Sequence, residues 1–115
     1  MSVSPEAKER FLTALRAARP IESKPMFGGL GLYHDGVFMG VVDNDRLFFK
    51  IDPESEGAFV ERGMEAWSYD GGKTEQPYRE LPAEVLNDPE VCGNWLDESR
   101  DAAIRRKAKP KAKKK

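Results

Sequence analysis

The sequence predicts an α+β domain, in which an antiparallel sheet of about five strands built from hairpins is flanked by an N-terminal and a C-terminal helix plus a short middle helix. Three observations predict this class. Apolar residues recur at spacings of three and four near both ends of the chain. Short apolar runs in the middle are separated by two-residue turn signals. The length of 115 residues, 39% of them hydrophobic, suits one domain with a modest core.

The N-terminal helix has clear start and stop signals. Ser4 and Pro5 are typical of the N-cap and the first residue of a helix. The apolar residues that follow at helical spacing are Ala7, Phe11, Leu15 and Ala18. Pro20 cannot continue a helix, so we expect an amphipathic helix that ends near Arg19.

Two hairpins are predicted in the central segment. Residues 26–40 read MFGGLGLYHDGVFMG and contain five glycines, but they lack the Gly-Lys-Ser/Thr of a phosphate-binding loop. Asp35-Gly36 instead predicts a type I′ turn, which requires positive φ at both residues, and Asn44-Asp45 predicts a second two-residue turn. Together these turns place Gly31 beside Gly40, and Gly40 beside Phe49. The missing side chains leave a hollow that a ring or another element can enter.

The remaining elements are predicted from residues that typically begin or end helices and strands. Asp52-Pro53-Glu54 is predicted to open a short helix that ends by Gly63. Residues 65–70 and 74–81 are predicted to be two strands around Gly71-Gly72, the second at a sheet edge because it contains Pro77. Residues 82–86 suit a helical turn. Asn87-Asp88-Pro89 begins the last helix, one face of which carries Cys92, Trp95, Leu96, Ser99 and Ala103.

Both faces of the central strands are predicted to be apolar. One face holds Tyr33, Phe38, Val42, Leu47, Phe49 and Ile51. The opposite face holds Leu30, Leu32, Met39, Val41 and Phe48, bordered by Arg46 and Lys50. These five residues are the candidate protein interface, because they exceed what a soluble monomer usually exposes. The alternative is that they form the inner layer beneath a helix.

The same segments resemble the amino-terminal domain of the TfoX/Sxy regulators. The resemblance lies in residues 26–52 (MFGGLGLYHDGVFMGVVDNDRLFFKID), followed by GMEAWSYD, PYRELP and DPEVCGNWLDESRDAA in the same order and with similar spacing. It covers most of residues 5–104. It implies a compact α+β domain in a family associated with regulating natural transformation competence. The best-known members add a carboxy-terminal domain, and we expect this chain to be a stand-alone copy of the first.

Charge is distributed unevenly along the chain. The formal net charge is −1, yet eight of the 19 basic residues and none of the 20 acidic ones lie from Arg105 onward. Residues 1–104 therefore form an acidic domain of net charge near −9, and we expect residues 105–115 to be a disordered basic tail. The tail either solubilises the domain and contacts it, or binds nucleic-acid phosphates. The candidate contacts are Arg105, Arg106, Lys107, Lys109, Lys111, Lys113, Lys114 and Lys115.

No catalytic constellation is evident. His34 lies beside a predicted turn, where a polar residue is ordinary. Cys92 is predicted on the apolar side of the last helix and has no second histidine to activate it. One His and one Cys cannot form a structural zinc site, so we expect no metal and no cofactor. The aromatic residues Trp67, Tyr69, Tyr78 and Trp95 suit the core, or alternatively stacking on bases.

Location and function follow from these observations. The chain has no apolar run suited to a signal peptide or a membrane span, and we expect a cytoplasmic protein with no membrane association. The preferred hypothesis is a non-enzymatic regulatory module that contacts another protein or itself. The alternative is a nucleic-acid-associated protein that binds phosphates through its tail. A third hypothesis is a small enzyme or ligand-binding protein that uses the hollow near Gly31 and Gly40, with His34 and Lys50 as the nearest polar groups.

Overall fold

A computed structural model describes residues 3–26, 29–68 and 76–108. Its elements in chain order are α1 (Pro5–Ala18), β1 (Glu22–Met26), β2 (Gly29–His34), β3 (Val37–Asp43), β4 (Arg46–Lys50), α2 (Glu56–Val60), β5 (Tyr78–Glu80), α3 (Ala83–Leu86) and α4 (Pro89–Ala108). The five strands form one antiparallel sheet in the order β1-β2-β3-β4-β5. The predicted α+β class is confirmed. None of the helices in the described ranges combines the length and apolar character that crossing a bilayer requires.

Local signals were sufficient for α1 and for both central turns. The Ser4 hydroxyl accepts a hydrogen bond from the Ala7 backbone N–H at 3.1 Å, which satisfies one of the unpaired donors of the first helical turn. Asp35 and Gly36 have φ values of 54° and 78°. Asn44 and Asp45 have φ values of 53° and 59°. Both predicted two-residue turns are therefore present.

The register between β3 and β4 is as predicted, but the register between β2 and β3 is not. Gly40 faces Phe49, and near the first turn Tyr33 faces Phe38. Beyond Tyr33 a β-bulge adds one residue, Met39, to β3, so that Leu32 faces Gly40 and Gly31 faces Val41. The prediction that Gly31 and Gly40 are neighbours is wrong.

The hydroxyl of Ser99 gives a physical reason for this bulge. Ser99 on α4 is buried, and its Oγ lies 3.0 Å from the Met39 carbonyl and 2.9 Å from the Lys50 carbonyl. A bulge leaves backbone groups outside the regular ladder, and a buried carbonyl needs a donor. Ser99 supplies one hydroxyl proton at this point, 60 residues away from Met39.

No open hollow remains at the two glycines. A Cβ on Gly31 would lie 3.0 Å from the Phe38 ring, and one on Gly40 would lie 3.1 Å from both the Leu32 side chain and the Phe48 carbonyl. The glycines therefore admit neighbouring side chains rather than a ligand.

Because of the bulge, the residues of the two predicted apolar faces are distributed differently between the two sides of the sheet. Leu30, Leu32 and Met39 pack in the main core, together with the helices and with Val42, Leu47, Phe49 and Ile51. Val41 and Phe48 lie in a second cluster on the other face, with Trp67, Tyr78, Met26 and Phe38. The prediction that Leu30, Leu32, Met39, Val41 and Phe48 share one face is wrong. All five are buried, with exposed fractions of 0–6%, so they present no surface to a partner in this structure.

The sheet has five strands, as predicted, but they are not all the strands that were predicted. Strand β1, with sequence ESKPM, was not predicted because it contains proline and lacks apolar alternation; it is the edge strand that pairs with β2. Of the predicted hairpin at residues 65–81, the described parts of both arms are paired: Ala66 faces Arg79, and backbone hydrogen bonds join Trp67 to Tyr78 and Glu80 to Glu65. Within these parts, only the second arm contains a named strand, β5, which is at the predicted sheet edge. The predicted turn at Gly71-Gly72 lies outside the described residues.

Helix α4 is longer than predicted. It continues through Arg105 to Ala108, so the predicted disordered tail cannot begin at residue 105. Two long-range contacts hold its last turn: Arg105 pairs with Asp52, and the Arg106 Nε donates to the Ile51 carbonyl at 2.5 Å. Basic residues in a last helical turn are also favoured by the helix dipole. Residues 109–115 lie outside the described part of the chain.

Candidate functional site

A groove lies between the tip of the β2–β3 hairpin and the C-terminal end of α4. Its volume is about 860 Å³. The described residues that line it are Tyr33, Gly36, Val37, Phe38, Lys50, Ala103, Ile104, Arg106 and Lys107. We call it the basic groove, because three of these residues are cationic and none is acidic. The groove combines aromatic, aliphatic and positively charged side chains.

Tyr33 and Phe38 form an aromatic pair on the wall of the groove. They face each other across the hairpin, next to the type I′ turn, and their ring centroids are 5.3 Å apart at an interplanar angle of 36°. Phe38 also packs against Tyr78 at 6.1 Å, and its ring occupies the space that Gly31 leaves free. Both residues are only half-buried. The sheet thus holds two rings in place while part of each stays accessible.

Lys50, Arg106 and Lys107 supply the positive charge. The Lys50 Nζ lies 4.7 Å from the centroid of the Tyr78 ring, and burial together with the nearby charge of Arg106 lowers the pKa of Lys50. Arg106 and Lys107 are exposed. No ion pair joins any of the three to a carboxylate within the described ranges.

Several other arginines of the domain are paired with carboxylates. Arg105 pairs with Asp52 and Glu98, Arg79 with Glu56, and Arg46 with Glu65 and Glu80. Asp35, next to the groove, accepts a bond from Arg100 Nη1 at 2.6 Å. The groove therefore concentrates cations that lack a carboxylate partner, which makes it a site of positive potential on an acidic domain.

The predicted nucleic-acid contacts separate into three groups. Arg105 faces inward and is held by Asp52, a residue that sequence reasoning treated only as a helix-start acid. Arg106 and Lys107 line the basic groove. The remaining five, Lys109, Lys111, Lys113, Lys114 and Lys115, lie outside the described residues. Lys50 was predicted as a border residue of the sheet, and the structure places it in the groove.

A second polar cluster joins buried His34 to the partly exposed Asp97 and Arg19. His34 is 2% exposed, and its Nε2 is 2.8 Å from Asp97 Oδ1. Arg19 donates to both oxygens of Asp97, at 3.1 and 2.8 Å. Arg19, with His34 as a smaller contribution, lowers the pKa of Asp97 to about 2. His34 lies beside the predicted turn, but its burial against Asp97 was not predicted. Its alternation with Leu30 and Leu32 was the signal that it belongs to the inner face.

The cysteine offers no exposed reactive group. Burial raises the pKa of the Cys92 thiol to about 11, so this residue is protonated at neutral pH. Within the ranges that the structure describes, no three His, Cys, Asp or Glu side chains are grouped to hold a metal ion. His34 Nδ1 is buried and has no hydrogen-bond partner there. The chemistry that this arrangement supports best is anion binding at the basic groove.

The aromatic residues singled out in the sequence are divided between core and periphery. Trp67 and Tyr78 are buried, and the Trp67 Nε1 donates to Asp43 Oδ2 at 2.9 Å, which confirms the core interpretation for these two. Trp95 is half-buried and packs edge-to-face against Phe59 at 4.9 Å. Tyr69 lies outside the described residues. Tyr33 and Phe38, which sequence reasoning assigned only to a strand face, are the aromatics of the groove.

The architecture defines a small α+β domain, with helices packed on one face of an antiparallel meander and an aromatic cluster on the other. The family model of the TfoX N-terminal domain matches residues 13–103. The chain belongs to this family, and the resemblance inferred from the sequence is confirmed. A comparison with curated proteins gives no match.

Proposed function

We propose that this chain is a non-enzymatic regulatory module of the bacterial cytoplasm that acts by binding an anionic partner in the basic groove. The observation that carries the proposal is the grouping of Lys50, Arg106 and Lys107, which have no carboxylate partner among the described residues, around two accessible rings. A partner's anionic groups would replace the repulsion between these cations with attraction, and the rings would add apolar contact. Regulation then follows from whether the groove is occupied.

Burial of the predicted apolar interface supports this location. Leu30, Leu32, Met39, Val41 and Phe48 are committed to the two cores. An interaction module must use side chains that remain accessible, and the groove offers them together with charge. The association of TfoX/Sxy proteins with competence regulation agrees with a binding role.

Charge reversal at the groove is expected to weaken anion binding. The double substitution Arg106→Glu/Lys107→Glu should lower the affinity of the full chain for a fluorescein-labelled polyglutamate 15-mer and for a labelled oligonucleotide by about tenfold or more, because attraction becomes repulsion. Fluorescence anisotropy at two salt concentrations measures both the affinity and its salt dependence.

The matched control is Lys8→Glu/Arg10→Glu on α1. It changes the net charge by the same amount at two exposed cations that do not line the groove. We expect this control to change the affinity by less than about threefold. Equal losses in the two double variants would mean that net charge, rather than the groove, determines binding, and would contradict the proposal.

A further inference from the structure

The aromatic pair of the basic groove has features that indicate which class of anionic partner the groove binds. Tyr33 and Phe38 lie side by side on the outer sheet face, and Phe38 also packs against Tyr78 and against the space left by Gly31. Half-buried rings held at fixed positions form a platform for flat ligands. Nucleic-acid bases stack on such rings whatever the sequence, because every base has a π face.

Cations lie close to this platform. Lys24 on β1 places its Nζ 5.0 Å from the centroid of the Tyr33 ring. Lys50, Arg106 and Lys107 lie on the α4 side. The only side-chain hydrogen bond of Arg106 within the described ranges uses Nε, so both terminal nitrogens of its guanidinium can donate to an incoming oxyanion. A chain of phosphates that crosses the platform would therefore meet several cations near the rings.

Further positive charge follows in the sequence. Helix α4 ends at Ala108 beside the groove, and the next seven residues are KPKAKKK, with five lysines and no acid. These residues add positive charge shortly after Lys107 in the sequence. In contrast, residues 1–104 carry a net charge near −9. A polyanion is therefore attracted at the C-terminal end and repelled over the rest of the domain.

Three kinds of anionic chain differ in their use of such a site. An acidic peptide satisfies the cations, but its carboxylates do not stack on the rings. In a duplex the bases stack on one another and are not available to Tyr33 and Phe38. A single strand offers both phosphates and unstacked bases, which is the combination that the groove matches.

We propose that the basic groove binds single-stranded nucleic acid, with bases stacked on Tyr33 and Phe38 and phosphates held by Lys24, Lys50, Arg106 and Lys107. This inference rests on the proposed function, since it names the anionic partner. The binding is sequence-tolerant, because lysine contacts to phosphates and base stacking carry little sequence information.

The test compares three labelled probes with the full chain by fluorescence anisotropy. They are a dT 15-mer, a 15-base-pair duplex and a polyglutamate 15-mer. We expect the dT 15-mer to bind at least about tenfold more tightly than either of the others, because it alone uses the rings. Tyr33→Leu and Phe38→Leu should each weaken dT binding by about fivefold or more, and weaken polyglutamate binding less, because leucine keeps the apolar contact but cannot stack on a base. Circular dichroism confirms that each variant is folded.

A measurement on the unaltered protein keeps the proposal testable if a variant does not fold. Photo-cross-linking of a 5-iodouracil oligonucleotide to the full chain, followed by mass spectrometry, should place the adduct on Tyr33 or Phe38. Adducts confined to other residues would overturn the proposal, as would equal affinity for single strand and duplex without dependence on the rings. Preference for polyglutamate would overturn this inference and leave the proposed function standing. No binding of any of the three probes would overturn both.

Discussion

Gly29→Ala is expected to lower the free energy of unfolding by about 3 kcal/mol or more, the largest loss we expect from any single substitution considered for this domain. A Cβ at position 29 would lie 2.1 Å from the carbonyl oxygen of Val42 and 3.3 Å from its carbonyl carbon. Both atoms belong to the backbone of β3, which is paired on both sides, with β2 and with β4. The clash cannot be relieved by a side-chain rotation, so strand pairing itself must change. Chemical denaturation followed by circular dichroism measures the loss.

Gly57→Ala is the matched control for this substitution. Gly57 lies in α2, is exposed, and has no atom within 4 Å of a Cβ built on it. Alanine favours a helix more than glycine does, by up to about 1 kcal/mol. We expect Gly57→Ala to be neutral or stabilising. A Gly29→Ala variant as stable as this control would contradict the close approach of β2 and β3.

Asp52→Asn is expected to cost about 2 kcal/mol of stability at pH 7, because it removes the charge that holds the last turn of α4. Asp52 is 2% exposed and accepts bonds from Arg105 Nε at 2.5 Å, from Arg105 Nη2 at 3.0 Å and from the Ser55 backbone N–H at 3.0 Å. Arg105, followed by the bonds from Ser55, lowers the pKa of Asp52 to about 2, from an ordinary value of 3.8. An asparagine keeps the shape but leaves Arg105 without its buried counter-charge.

The direction of the Asp52 pKa shift defines the pH range over which the stability loss caused by Asp52→Asn changes. A carboxyl group whose pKa is lowered by folding stabilises the folded state above its unfolded pKa, and this stabilisation disappears as the pH falls through the folded pKa. The difference between the unaltered protein and Asp52→Asn should therefore be complete above about pH 4 and shrink toward pH 2. Denaturation curves at pH 7, 4 and 2.5 test this, and an undiminished difference at pH 2.5 would exclude the charge of Asp52 as its source.

Glu54→Gln is the control for the ion pair. Glu54 lies 3.6 Å from Arg105 Nε, but its side chain is 61% exposed. Exposed ion pairs contribute little because water and salt screen them, so we expect a loss below about 0.5 kcal/mol. A loss equal to that of Asp52→Asn would mean that proximity to Arg105, rather than burial, determines the contribution.

Elements whose signals lie within a few neighbouring residues were predictable from the sequence. Ser4 and Pro5 determine the start of α1 through local hydrogen bonding and a preset φ. Asp35-Gly36 and Asn44-Asp45 adopt positive φ, which determines both turns and the β3–β4 register. The family was also recognisable, because its motifs occur in order along the chain.

The candidate site was predictable only in part. Arg106 and Lys107 were identified from charge alone, and Lys50 was recognised as a border residue. Tyr33 and Phe38 were predicted to share a strand face, but their role as a groove wall required the position of α4. Arg105, with the same charge as its neighbour, points inward to Asp52 instead.

The sequence by itself determined the fold class, the start of the first helix, the two central turns and the excess of positive charge at the C-terminal end. Only the tertiary structure decided the β-bulge at Met39, the burial of His34 against Asp97, the extension of α4 and the groove beside it. The physical reason is the range of the interactions. Asp52 and Arg105 are 53 residues apart, and His34 and Asp97 are 63 apart. Contacts over such distances leave no local pattern in the sequence. A buried polar group nevertheless needs a hydrogen-bond or ion-pair partner, because burial without one costs free energy. Satisfying that need determines strand register and helix ends even where local propensity favours others.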